Sequence, residues 1–181
     1  MPRARKPPKS GKSFVRTAEF WIDRLRLERH PEGGWYRETY RSSEQYDFSG
    51  AANFGSARSY ATSIYYLLQL GDSSRLHRIH SDEQWYFHVG SPLDVHCFPE
   101  TGKPSSFTLG DNPDAGEVLH SWVPAGDYFG ASLAESDDPD AYALVSCVVA
   151  PGFDFRDFTF ADREALTAKF PDHARIIQKL S

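Results

Sequence analysis

Cysteine is scarce in this chain. Cys97 and Cys147 are the two it has in 181 residues, and neither has a partner at CxxC spacing, which argues against a disulfide framework and a thiolate metal site. Both read as reduced, buried thiols of a cytoplasmic protein. No stretch approaches the roughly 18 apolar residues of a membrane span. The first dozen residues have no apolar core behind their basic side chains, so no secretory leader is expected. There is no Gly-rich phosphate loop and no Gly-x-Ser-x-Gly nucleophile turn. No repeat of fixed period occurs.

What is abundant is aromatic: 13 Phe, 9 Tyr and 4 Trp. These residues favour strands and make disorder of the whole chain untenable. The formal charge of −5 is divided unevenly. Residues 1–12 hold Arg3, Arg5, Lys6, Lys9 and Lys12 and no acid, so the other residues carry 15 basic against 25 acidic side chains, a net −10. An acidic body does not suit phosphate contacts, so no nucleic-acid partner is expected. We read residues 1–16 as a basic, disordered tail with Pro2, Pro7 and Pro8 in it, and 17–181 as one domain.

Thr17 is placed to cap a helix running to about Leu27, with Glu19 in its first turn. His30-Pro31-Glu32-Gly33-Gly34 breaks it. Segments of strand character follow at Trp35–Arg41, Tyr60–Leu70, Leu76–Ile79, Gln84–Val89, Leu93–Phe98, Ser106–Leu109, Glu117–Val123, Tyr128–Ala134 and Tyr142–Val149. Gly71-Asp72, Gly90-Ser91-Pro92 and Pro124-Ala-Gly-Asp127 are turns between them. Short strands at this pitch predict an all-β sandwich or barrel. Asp162 and Pro171 predict short helices at the C-terminal end.

The chemistry is concentrated between Gly71 and Gly90. A tight turn there is expected to put His77 and Glu83 on facing strands of one sheet. By the period of two, Glu83, Trp85, Phe87 and Val89 share one face. Three of these are large and apolar, so that face turns inward and carries Glu83 into an apolar cavity. A buried carboxyl needs a partner or takes up a proton, and His77 is the candidate partner. A His–Glu contact in a barrel can also simply satisfy two buried polar groups. His80 and His88 have the opposite parity and are expected outward or at the turn.

This segment is similar to the first motif of the cupin superfamily, with Gly71, His77, Glu83 and Gly90 in register. Gly116 to Phe129, containing Pro124-Ala-Gly126, looks like the second motif. The chain resembles one branch in particular, the DUF985 or Cupin_5 family. The resemblance is carried by Glu32-Gly-Gly-Trp-Tyr-Arg-Glu-Thr-Tyr-Arg41, Thr62-Ser-Ile-Tyr-Tyr-Leu-Leu68, Leu76-His-Arg78, Ser81-Asp-Glu83, Trp85, Val123-Pro-Ala-Gly126 and Ala150-Pro-Gly-Phe-Asp-Phe155 with Asp157-Phe158. It implies a cupin-type double-stranded β-helix, an RmlC-like jelly-roll barrel with short N- and C-terminal helices, a small-molecule pocket inside the barrel, and a homodimer.

Metal-binding cupins offer three His and one Glu, donors that suit Fe, Mn, Ni or Zn. Here Ile79 and Phe129 stand at two of the His positions. The resemblance therefore favours no metal; a divalent metal, if one is held, would use His77 and Glu83 with His80 or His120. The leading expectation is an enzyme of isomerase or epimerase type, in which His77 and Glu83 move a proton on a small polar metabolite, sugar-like or carboxylated. Expected binding residues are Arg37, Tyr65 or Tyr66 (adjacent on one strand, so only one faces the pocket), Trp85, His120, Phe129 and Asp154. The alternatives are a metal-dependent, dioxygenase-like enzyme and a non-catalytic binding or storage module.

Overall fold

The computed structural model describes residues 16–50 and 54–181. The basic tail expected at residues 1–16 lies, apart from Arg16, outside the described residues. Thr17 does cap helix α1 (Ala18–Leu25), its hydroxyl accepting from Phe20 N at 3.3 Å. Arg26, in the left-handed region at φ 54°, ends the helix.

The strands then follow in chain order: β1 (Glu28–Arg29), β2 (Trp35–Arg41), β3 (Gln45–Asp47), β4 (Ala57–Ser59), β5 (Thr62–Gln69), β6 (Ser73–Arg78), β7 (Asp82–Gly90), β8 (Leu93–Phe98), β9 (Ser105–Leu109), β10 (His120–Val123), β11 (Tyr128–Leu133), β12 (Tyr142–Ala150) and β13 (Thr159–Phe160). Asp162 caps α2 (Arg163–Lys169) by accepting from Ala165 N at 3.0 Å, and a turn begun by Pro171 leads into α3 (Ala174–Lys179). Among the described residues no helix is long and apolar enough to cross a membrane.

Two sheets face one another, one in the order β1-β2-β5-β12-β7-β10 and the other in the order β13-β6-β11-β8-β9; β3 and β4 form a separate hairpin. Nearly every neighbour in these sheets is distant in sequence and antiparallel, the wiring of a jelly roll. The cupin-type, mostly β fold expected from the motifs is present.

The period of two sorts apolar side chains into three layers. Tyr66, Trp85, Phe87, Val95, Cys97, Phe129, Val145 and Cys147 fill the space between the sheets. Leu67 and Leu144, one residue out of step with inward neighbours, point the other way and hold α1 through Ala18 and Trp21. Leu76 and Phe98 do the same on the opposite sheet, under Leu166, Phe170, Ile177 and Leu180 of the C-terminal helices. Each fully buried aromatic contributes a few kcal/mol at roughly 25 cal/mol per Å² of apolar surface.

One expected orientation is corrected. Val89 does not share the inward face of Glu83, Trp85 and Phe87. In the β7–β12 pairing Phe87 lies opposite Val145 and Val89 opposite Leu144, so His88 is an extra residue on β7. Such a bulge reverses the alternation beyond it. Val89 therefore packs outward with the α1 layer.

Candidate active site

The loop between β1 and β2 builds one wall of the site. Gly33 (φ 113°) and Gly34 (φ 68°) turn the chain sharply, and a Cβ at Gly33 would overlap the carbonyl oxygen of Ser73. Only glycine allows this approach. Arg75 N then donates to Glu32 O at 2.9 Å, and Tyr66 Oη donates to Gly33 O at 2.8 Å. The result is that Glu32, 7% exposed, is pressed against β6 on the facing sheet. It accepts from Ser74 Oγ at 3.0 Å, and its Oε2 lies 3.2 Å from His77 Nε2 and 3.6 Å from His30 Nδ1.

The cavity here has a volume of about 490 Å³, within the usual range for small-molecule sites. Glu32, His77, Glu83, His30 and Cys147 line its depths. Tyr36, Arg41, Phe153, Asp154 and Phe155 stand among the residues nearer its mouth.

Hydrogen bonding fixes the tautomers. His77 Nδ1 is 2.7 Å from Arg75 O. A carbonyl only accepts, so Nδ1 carries a hydrogen. His77 Nε2 is thereby turned toward Glu32 Oε2. His30 Nδ1 accepts from Glu32 N at 3.3 Å, leaving Nε2–H as its donor in the neutral ring. Burial lowers the His30 pKa, with the Glu32 charge acting against that.

Glu83 is in a different situation. It is 8% exposed, and among the described residues its only polar neighbour that favours the anion is the Cys147 thiol. Burial first, and the Glu32 charge second, push its pKa up to about 8. At neutral pH it keeps its proton. The same cavity thus holds two glutamates in unlike surroundings, Glu32 served by Ser74 and facing His77, and Glu83 with a thiol alone. The Cys147 thiol is raised well above its ordinary value by burial and by Glu83, so it is no nucleophile at neutral pH.

The residues singled out in the sequence are divided by the structure. His77 and Glu83 do not sit on neighbouring strands of one sheet: the turn between β6 and β7 crosses from one sheet to the other, so the two side chains line the cavity from opposite sheets. The carboxylate beside the imidazole is that of Glu32. Phe129, 1% exposed, lies behind His77 with ring centres 4.2 Å apart. Trp85 is fully buried beyond it, 6.4 Å from Phe129, and its indole N–H finds no acceptor among the described residues. Tyr66 is the inward tyrosine; Tyr65 faces the α1 layer and meets His88 at 5.8 Å. Asp154 reaches the mouth, where hydrogen bonds from Arg156 hold its carboxyl well below the usual carboxylate range.

Arg37 and His120 lie elsewhere. Arg37 points away from the cavity and donates to Leu25 O at 2.9 Å, tying β2 to the end of α1. It is Arg41, beyond an irregularity in the β2–β5 pairing, that lines the cavity. His120 is exposed on β10 and stacks on Tyr86 with ring centres 4.5 Å apart. His80 is directed to Asp157, its Nδ1 3.5 Å from Oδ1.

These placements decide the fit of a cupin-type metal. Of the donors the resemblance offered, His77 and Glu83 alone reach the cavity, and His77 uses both nitrogens on Arg75 and Glu32. Among the described residues no three His, Cys, Asp or Glu side chains are gathered as a metal site. The residues present do not fit the three-His, one-Glu set.

Glu32 and His30 were not read as site residues from the sequence, although Glu32 opens one of the motifs. The signal was the pair of glycines after it, which mark a backbone needing close approach. Phe158 and Arg58, on and beneath the segment over the cavity, carried no such signal. Phe158 stacks on His77 at 4.9 Å, and Asp157 next to it takes a bidentate pair from buried Arg58, with Nε to Oδ2 at 2.6 Å and Nη2 to Oδ1 at 2.5 Å. That pair pins the 153–158 strap over the site.

Comparison with known proteins gives the same fold. The profile of the Cupin superfamily (DUF985) matches residues 19–161. The Saccharomyces cerevisiae protein named "Uncharacterized protein YML079W" is 34% identical over 152 residues, which are 79% of this chain and 74% of the yeast one. Protein SO0799 from Shewanella oneidensis has a solved structure with 40% identity and a TM-score of 0.81, over 92% of this chain and 98% of that one. A hypothetical protein from Leishmania major is similar at 38% identity and a TM-score of 0.81, over 91% of this chain and 98% of its own. Profile, relatives and wiring agree that this chain belongs to the Cupin_5 (DUF985) family of the cupin superfamily.

Proposed function

We propose that the cavity catalyses proton transfer on a small polar metabolite, an isomerase or epimerase type of reaction without redox change. The observation that carries this is the asymmetry between Glu32 and Glu83. Carboxyls in environments that separate their protonation states are the means by which one site supplies both an acid and a base. Glu32, facing Ser74 and His77, is the base; Glu83, buried without such partners, is the acid. Glu32 takes a proton from the substrate as Glu83 delivers one to it, and exchange between the two carboxyls or with water restores the start.

His77 acts through Glu32 and is a positioning residue. Its Nδ1–H, held by Arg75 O, fixes the ring so that Nε2 faces the carboxylate. Phe129, Phe158 and Phe153 exclude water and strengthen these interactions. The chemistry uses protein groups alone. The homodimer and cytoplasmic setting expected from the sequence belong to the same reading, and sedimentation of the full chain tests the first.

The test is isotopic. The protein is incubated in D₂O with a pool of small metabolites, and mass spectra are searched for incorporated deuterium. Wild type is expected to label at least one metabolite, and Glu83→Gln and Glu32→Gln are expected to label none. Saturable binding without labelling by wild type would make the protein a binding module and end the proposal.

A further inference from the structure

We propose that the ligand of this cavity carries a protonated amine, held at the mouth by the Glu28 carboxylate and the rings of Tyr36 and Phe155. This rests on the reading of the cavity as a ligand site and adds the charge class of what enters it.

Five acids line the cavity (Glu28, Glu32, Glu38, Glu83 and Asp154) against Arg41 and two imidazoles. Arg41 is not free to receive an anion. Its Nε and Nη2 donate to the two Glu38 oxygens at 3.1 and 2.7 Å, and its Nη1 donates to Phe153 O at 3.1 Å. Asp154 is matched by Arg156 at 2.6 Å, and Glu32 faces His77. Glu28 has no ion-pair partner among the described residues. Burial lowers the His30 pKa, so that ring brings no compensating charge. With Glu83 protonated and the others matched, the mouth keeps one negative charge without a counter-charge among the described residues, that of Glu28.

A cluster of acids alone would say little, but the interior adds an independent feature. Glu83 is more than nine-tenths buried and lines the cavity, and no nitrogen or oxygen donor serves its carboxyl among the described residues. With only the weakly donating Cys147 thiol beside it, this buried carboxyl gains from an oxygen or nitrogen partner that a ligand supplies. Its protonated form donates to a carbonyl or hydroxyl oxygen at the inner end of the ligand.

The walls of the mouth are aromatic. Tyr36 meets His30 edge to face at 4.4 Å, and Phe153 meets Phe155 at 5.0 Å. Phe155 is 56% exposed, an apolar ring left at the opening. Ring faces beside a carboxylate are a setting that holds ammonium groups, through the ring quadrupole and the opposite charge together. A carboxylate or phosphate would instead meet Glu28 and Glu32 with no free guanidinium, since Arg37 points elsewhere. Of the two substrate types suggested by sequence, the carboxylated one is the poorer match.

The experiment is isothermal titration of the full chain at low salt and neutral pH with charge-inverted pairs. Glucosamine is set against glucuronate, ethanolamine against glycolate, and choline and spermidine are added as further cations. At least one amine is expected to bind saturably in the millimolar range or tighter, and its matched acid at least about tenfold more weakly. Glu28→Gln, on the exposed strand β1, is expected to weaken that amine by about tenfold or more, in line with loss of a charge partner beside aromatic rings. An acid binding as well as its matched amine overturns the proposal, and so does failure of every amine to saturate. Glu83→Gln separates the two readings: it abolishes deuterium labelling while leaving the ammonium contacts at the mouth. If amines bind and wild type labels nothing, the proton-transfer reading falls alone; if labelling occurs and amines do not bind, the charge assignment falls alone.

Discussion

Glu32 Oε2 stands 3.2 Å from His77 Nε2 across the gap between the two sheets. Glu32 arrives on the glycine turn before β2 in one sheet, and His77 on β6 in the other. The contact that organises the site is therefore also one that joins the sheets.

If Glu32 and His77 work as a unit, their losses should not add. Glu32→Gln and His77→Gln are each expected to reduce the rate by about 10²–10⁴-fold, the usual contribution of a positioned acid or base. The double variant should lose no more than the worse single one. Steady-state rates of the three proteins decide this, with KM nearly unchanged for His77→Gln. Multiplied losses would show that the residues act separately.

Glu83 makes stability depend on pH. Its folded pKa, about 8, is above the ordinary 4.5, so the fold binds this proton more tightly than the unfolded chain does. The contribution is complete below about pH 4.5 and is lost as pH rises through about 8. Relative to Glu83→Gln, wild type should weaken across that interval by an amount on the order of a few kcal/mol. Urea denaturation of both proteins at several pH values between these limits measures the slope. A wild-type slope equal to that of the variant would contradict the assignment. Catalysis should decline over the same alkaline limb as Glu83 ionises.

The Arg58–Asp157 pair is buried on both sides, at 3% and 5% exposure. Asp157→Asn leaves the guanidinium without its counter-charge and should cost about 3–5 kcal/mol. Because the strap carries Phe153 and Phe158, activity should fall at temperatures where the variant is still folded. Thermal melts beside rate measurements distinguish the two effects.

Arg37→Ala and Tyr66→Phe should differ in kind. The first removes an exposed hydrogen bond to Leu25 O, costs about 0.5–1.5 kcal/mol, and leaves the rate unchanged. The second strands the Gly33 carbonyl, costs about 1–3 kcal/mol, and slows turnover by loosening the turn that presents Glu32. Rate and melting temperature of each variant check the contrast.

Much of the scaffold was legible because its signals are local. β2 and β8 begin and end where alternation and turns put them, and Thr17 and Asp162 cap the helices they were expected to cap. β1, β3, β4 and β13 have two or three residues each, too few to show a period. The inward direction of Glu83 followed from Trp85 and Phe87 beside it. The partner of His77 did not follow, because no local rule links a loop before β2 to a strand in the other sheet. Arg37 faces away from the cavity for a simpler reason: the direction of each face of β2 is set by what packs on it, and no local signal in the strand reveals that the end of α1 lies there. Ser74, Arg58 and Phe158 were equally silent, being ordinary residues until the fold brings them to Glu32, Asp157 and His77.

The extra residue at His88 gives β7 two separate employments. The stretch that carries Glu83 and Trp85 faces the cavity, while Val89 beyond the bulge faces the helix at the start of the chain. Substitutions at the far end of the strand can retune how that helix docks while the acid keeps its place. Deleting one residue at the bulge would be far more damaging than replacing several, because it would turn Val89 inward and bring the helix's support into the lumen. In this family, variation in length at that point should be rarer than variation in side chain, and a homologue lacking the residue should be found to dock its first helix elsewhere.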